Sequence, residues 1–172
     1  EFQEEIVDDP TTTGRGLMDL RDSALFRQQE GHEIDPAPHN MGYFFMHLEA
    51  LRIYWETVSN GQLTLQFDVY PLDDTASYKL NHSLAYYGSQ SPVAGLSEFF
   101  KDAWETADQQ TPFIDFSQYD AFIVFHAGSD RQSDLDISPT PTPNDLFTVF
   151  IIPETSVVVD NGGFAISFES LE

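Results

Sequence analysis

The 172-residue chain contains no cysteine. That excludes disulfides, thiolate zinc sites and a cysteine nucleophile within these residues. Basic residues are scarce: 7 Lys and Arg stand against 29 Asp and Glu, for a formal charge of -22. Nucleic acid is therefore excluded as a partner, because holding it means neutralising phosphates with Lys and Arg. An anionic membrane surface is disfavoured on the same ground. No apolar run approaches the roughly 20 residues of a membrane span, and no stretch has the layout of a signal peptide. The opening Glu1-Phe2-Gln3-Glu4-Glu5 reads as a processed or trimmed start, or as a cloning remnant. What is present is apolar bulk. The chain is 41% hydrophobic and 14% aromatic, with 15 Phe, which suits one folded domain with a sizeable core rather than disorder. The acidity serves either solubility or the binding of a hard cation, calcium above all, through oxygen ligands.

Residues 1–38 are acidic and then polar, broken by Thr11-Thr12-Thr13-Gly14 and Asp35-Pro36-Ala37-Pro38. They read as an extended lead-in or pro-segment remnant, with one short helix near Asp19–Gln28. A helix over Met41–Ser59 follows, with Asn40 as its N-cap and Asn60-Gly61 as a left-handed stop. Met41, Phe44, Phe45, Leu48, Leu51, Trp55 and Val58 recur at helical spacing and form a core-facing stripe. Gln62–Tyr70 alternates apolar and polar residues with the period of a half-buried strand. Tyr78–Gly88 is aromatic and irregular. Leu96–Asp108 has helical spacing, with Leu96, Phe99, Phe100, Ala103, Trp104 and Ala107 inward. Ala121–Phe125 is a continuous apolar run, as in a strand covered on both faces, and Leu146–Ile152 reads the same way. Residues 128–144 form a polar loop. Val157–Val159, the turn Asp160-Asn161-Gly162-Gly163 and Phe164–Phe168 spell a β-hairpin. Strand, helix and strand in succession make a parallel crossover the default. The expected fold is α/β: a mixed twisted β-sheet packed with at least two helices, in one domain over residues 39–172.

Few residue groups carry chemistry. Gly31-His32-Glu33-Ile34-Asp35-Pro36 contains His-Glu, but position 36 is Pro where HExxH requires the second zinc-binding histidine. No HExxH occurs anywhere in the chain. His39 and His47 are eight residues apart, a rise of about 12 Å along a helix, which is too far for one ion. His126 closes the apolar run and is followed by Ala127-Gly128-Ser129-Asp130, at the strand end where α/β folds place sites. A nucleophilic reading through Ser129 lacks the elbow motif around that serine. Asp130, Asp134 and Asp136 share one short loop. Such carboxylates can wrap calcium when carbonyls and water complete the shell, although the loop lacks the central glycine and terminal glutamate of an EF-hand. Asp73-Asp74 is a weaker candidate of the same kind.

Taken in order, several blocks resemble the early catalytic region of immune inhibitor A-type secreted metallopeptidases. They are His39-Asn40 through Phe45, His47-Leu48-Glu49-Ala50-Leu51 with Tyr54-Trp55, and Val58-Ser59-Asn60-Gly61-Gln62-Leu63. Leu84-Ala85-Tyr86-Tyr87-Gly88 is similar to the family's aromatic-glycine element. Asp115-Phe116-Ser117-Gln118-Tyr119-Asp120, then Phe122 to Phe125 and His126-Ala127-Gly128-Ser129, is similar to its strand and loop. The resemblance covers roughly residues 36–130. It implies a zincin-like upper subdomain, a secreted protein, a protein or peptide substrate lying along a sheet edge, and calcium as a structural ion. It also implies a downstream HExxH helix holding zinc, with its glutamate as general base. Those positions are not in this sequence, so no catalytic residue carries over. The chain is then expected to be the N-terminal portion of the enzyme and inactive alone, with the remaining part of its own chain as a partner. The alternative is a non-catalytic acidic extracellular binding or structural module derived from a peptidase. The sequence departs from the family at Ser138-Pro139-Thr140-Pro141-Thr142-Pro143, where family members carry a short aromatic stretch.

Overall fold

The first two helices form where the sequence supplies both a cap and a stop. A computed structural model describes residues 1–5, 8–31, 35–133, 141–150 and 156–166. The chain divides into two compact units, Met18–Ser77 and Glu1–Leu17 with Tyr78–Glu172.

In the Met18–Ser77 unit, Asp22 caps helix α1, Ser23–Glu30, by accepting from the Leu25 amide, and Gly31 ends it in the left-handed conformation. Arg21 ties the segment together, donating to Asp19 and to Glu30 while lying over the Phe26 ring. Helix α2 spans Met41–Val58, and the Asn40 side chain accepts from the Tyr43 amide as its N-cap. Asn60 and Gly61 both take positive φ and stop the helix, with the Gly61 amide donating to the Glu56 carbonyl at 2.8 Å. Arg52 is pinned to Glu49 and Glu56 at i−3 and i+4.

The expected core role of the α2 stripe does not hold. None of the helix's 18 residues is fully buried, and Met46, Ile53, Tyr54 and Val58 are all more than half exposed. The reason lies in the sequence. Met46, Ile53 and Tyr54 fall outside the stripe, so the helix is apolar nearly all round, a pattern that needs cover on several sides. Among the described residues the downstream segment supplies some of it, with the Phe67 ring 5.2 Å from that of Phe45. Residues 63–69 run without a strand ladder, and the predicted alternation holds only after Leu63, which is exposed: Leu65, Phe67 and Val69 are half-buried while Thr64, Gln66 and Asp68 are exposed.

The second unit is built around α4, Pro92–Gln110, longer at both ends than its apolar spacing predicts. Ser91 precedes it and Pro92 occupies the first turn, where the missing N–H costs nothing. Leu96, Phe99, Trp104 and Ala107 are buried. A five-residue helix, α3, Leu84–Gly88, lies against α4, with Ser83 as its cap. The predicted hairpin forms: β1, Val157–Val159, pairs antiparallel with β2, Phe164–Ile166, in the register Val157↔Ile166 and Val159↔Phe164. Val157, Val159 and Ile166 are buried, and β1 packs on α4. The turn is pinned from outside the hairpin: the Asp160 amide donates to Asp108 and the Phe116 amide donates to the Asp160 carboxylate.

Helices with a small antiparallel sheet make the fold mixed α/β. The runs expected as buried strands differ. Ala121–Phe125 carries no ladder, and its exposure alternates, with Ile123 58% exposed and Phe122 and Val124 half-buried. Of Leu146–Ile152, only Leu146 among the described residues is buried, and Phe150 is 84% exposed. Residues 151–152 and 167–168 lie outside the described set. Nor are the first residues a loose lead-in. Phe2 is fully buried, its amide donates to the Gly16 carbonyl, and Glu1 and Gln3 bond the backbone of Leu80 and His82.

Candidate functional site

Of the predicted calcium ligands Asp130, Asp134 and Asp136, only Asp130 lies within the described residues. Asp130 is half-buried at the start of a 3₁₀ turn, Arg131–Ser133, that is held by the Arg131 amide donating to the Leu146 carbonyl. Asp134 and Asp136 lie outside the described residues, as do His32 and Glu33. Asp73 is used locally, accepting from the Thr75 amide and hydroxyl. Asp74 accepts from the Gly42 amide at the N-terminus of α2, where the helix dipole favours an anion. His39 and His47 bracket the Tyr43 ring at centroid distances of 4.7 and 4.3 Å, so an aromatic ring stands between them. His47 Nδ1 contacts the Tyr43 carbonyl at 2.9 Å. Tyr43 donates its hydroxyl to Asp35, and burial together with that carboxylate pushes its pKa up to about 12.

His126 is half-buried at the edge of the core. Its ring packs against Phe2 and Phe99 at 6.0 and 5.8 Å, and Nδ1 lies 2.8 Å from the Ala127 carbonyl. Burial holds its pKa below the usual imidazole value, outweighing the Ala127 carbonyl and the carboxylates of Asp145 and Asp130. A pH dependence follows. Just below the ordinary value of about 6.5 the unfolded chain binds a proton that the folded chain refuses, so stability rises with pH there. The contribution of His126 is complete above about 6.5 and is lost as pH falls through that value toward the lower folded pKa. Urea midpoints measured on either side of it should fall more steeply with acid for the native chain than for His126→Gln. Equal slopes would contradict the assignment.

One constellation does converge, and it was not anticipated. His82 precedes the Ser83 cap of α3, while Glu98 and Asp102 sit one turn apart on α4. One ligand atom from each lies within 4.8 Å of the other two, and all three residues are half-buried. The His82 ring stacks on Tyr86 at 4.0 Å. Tyr86 donates to Glu98 Oε1 at 2.9 Å, Gln90 to Glu98 Oε2 at 2.8 Å, and Tyr87 to Asp102 Oδ2 at 2.7 Å. The Gln90 bond, with lesser help from Tyr86, holds the Glu98 carboxyl below its usual pKa against the effect of burial. Burial, then the Asp102 hydrogen bond, pushes the Tyr87 phenol far above its usual value. One imidazole and two carboxylates are the donors of a transition-metal site rather than a calcium site, whose ligands are oxygens. The hydrogen bonds by themselves account for the arrangement: they fasten α3 to α4 through charge-assisted phenol–carboxylate pairs. The signal in the sequence was Glu98 and Asp102 at i, i+4 on an apolar helix, with an aromatic pair a dozen residues upstream.

No family model matches the chain, and no curated protein and no solved structure is detectably similar to it.

Proposed function

We propose that this chain is the N-terminal portion of the catalytic domain of a secreted zinc endopeptidase, forming the zincin-like upper wall of its cleft, and that it is inactive alone. The observation that carries this reading is the ordered series of blocks from His39-Asn40 to His126-Ala127-Gly128-Ser129. Two features of the structure support it. Helix α2 fills the interval between the Asn40 cap and the Asn60-Gly61 stop and is apolar nearly all round, as suits a helix that packs against further polypeptide. Residues 64–69 and 121–125 alternate in exposure, the pattern of strands that take neighbours in a twisted sheet. In this reading the partners are a protein or peptide substrate and the remainder of the chain's own polypeptide. Calcium is a structural ion held from the loop that opens with Asp130.

In this reading the catalytic zinc belongs to the downstream HExxH helix, whose ligands and general base are not in this sequence. Incubated with denatured casein and zinc, the pure protein is expected to cleave nothing. Cleavage by this chain that a chelator abolishes would overturn the proposal. The exposed apolar residues of α2, with the charge of -22, also favour a second reading, an acidic extracellular binding or structural module. The two readings part on whether an HExxH accompanies these residues in their reading frame.

A further inference from the structure

The turn between β1 and β2 brings together an amide, an unhindered backbone nitrogen and open solvent. Asn161 and Gly162 are both exposed. Asp160 and Asn161 take positive φ, 55° and 53°, so two consecutive non-glycine residues occupy the left-handed region. A Cβ built on Gly162 would meet nothing within 4 Å. We infer that Asn161 is a site of spontaneous covalent modification, deamidating through a succinimide to aspartate and isoaspartate.

The step needs only water. The Gly162 backbone nitrogen attacks Asn161 Cγ, a C–N bond closes the five-membered ring, and the Cγ–NH2 bond breaks. The proton lost from the glycine amide passes through solvent to the leaving nitrogen, which departs as ammonia. Water then opens either ring carbonyl, giving aspartate or, with the main chain rerouted through the side chain, isoaspartate. Glycine matters because any side chain on the following residue crowds the attacking nitrogen.

The chain contains an internal comparison. Asn60-Gly61 has the same dipeptide, the same exposure and the same positive φ. Its Gly61 amide, however, closes on the Glu56 carbonyl at 2.8 Å, at the end of an 18-residue helix. Reaching the reactive geometry there unwinds the last turn of α2. At Asn161 the bonds that pin the turn fall on Asp160 and Gly163 on either side, and the flanking strands are three residues each, so the Asn161–Gly162 peptide can turn without unwinding a helix.

The consequence falls on the hairpin. Conversion adds a carboxylate beside Asp160, a residue already in the field of Asp108 and Asp115. Isoaspartate further lengthens the main chain by one methylene, which works against the Val159↔Phe164 register and the cover over Val159, a fully buried residue.

The test is to age the folded protein in mildly alkaline buffer at physiological temperature and map its peptides. The expected result is a new charge variant, more acidic by one unit, with aspartate and isoaspartate at 161 ahead of any change at 60. Asn161→Gly, which glycine's freedom at positive φ makes safe for the fold, is expected to abolish that variant. An Asn161 that stays intact while the urea-unfolded chain converts, or an Asn60 that reacts first, would overturn the inference.

Discussion

Phe2→Ala is expected to lower the unfolding free energy of the second unit by about 3–5 kcal/mol, out of a total that for a domain is typically about 5–15 kcal/mol. The Phe2 side chain is wholly inaccessible, with its ring 5.6 Å from Phe99, 5.9 Å from Tyr87 and 6.0 Å from His126. Truncation leaves a cavity among rigid rings. The backbone is not free to collapse into it, because Phe2 donates to Gly16 at 2.8 Å and its neighbours bond Leu80 and His82 at 2.9 Å each. Urea unfolding read by Trp104, in a Trp55→Phe background, isolates this unit. Phe150→Ala, at a side chain 84% exposed, should leave the midpoint nearly unchanged. A Phe2→Ala loss below about 1 kcal/mol would mean that the first residues do not belong to the core, since burying a large apolar side chain is worth more than that.

Gly88→Ala should be comparably severe. A Cβ at this buried position would stand 1.7 Å from the Asn144 carbonyl oxygen and 2.5 Å from its carbon, so the obstacle is backbone and not a flexible side chain. Asn144 has little room to yield. Its amide donates to the Thr11 carbonyl at 2.9 Å and its side chain to the Thr11 hydroxyl at 2.7 Å. The adjoining Asp145, 1% exposed, accepts from the Thr13 amide and hydroxyl at 2.8 and 2.6 Å. Relief of the clash must displace either α3 or this clamp. Overpacking of a rigid site costs about 1–3 kcal/mol and at times more, and a backbone obstacle places Gly88→Ala at or above the top of that range. Gly31→Ala separates steric conflict from backbone conformation: φ is 71° there but nothing lies within 4 Å, so a loss of only about 1 kcal/mol is expected. Equal losses at the two positions would contradict the close approach of Gly88 to Asn144.

The elements legible in the sequence were those whose ends are written in local chemistry. Asn40 and Asn60-Gly61 delimit α2 because a side-chain acceptor and a left-handed residue satisfy orphan helix groups wherever the helix packs. Asp160-Asn161-Gly162-Gly163 marks the hairpin for the same reason. The expected strands over 62–70, 121–125 and 146–152 were less secure. Alternation or apolarity reports which side chains seek cover, whereas a ladder depends on a neighbour that local sequence does not name. Leu65, Phe67 and Val69 accordingly keep the predicted alternation without a ladder. Phe2 was missed because a single aromatic residue near a terminus has no periodicity to betray its burial. The His82–Glu98–Asp102 constellation was missed because its members lie on two elements, and only the Glu98 and Asp102 pair is visible as a spacing. Of Asp130, Asp134 and Asp136, only Asp130 falls within the described residues.

The central claim is that these residues belong to a zinc endopeptidase whose metal helix lies downstream. Sequencing the source reading frame beyond residue 172 tests it most directly. The account predicts an HExxH on an amphipathic helix, its two histidines one turn apart on one face and its glutamate placed as general base. A frame that continues without that motif, or terminates before it, would contradict the account and leave the chain a non-catalytic acidic module.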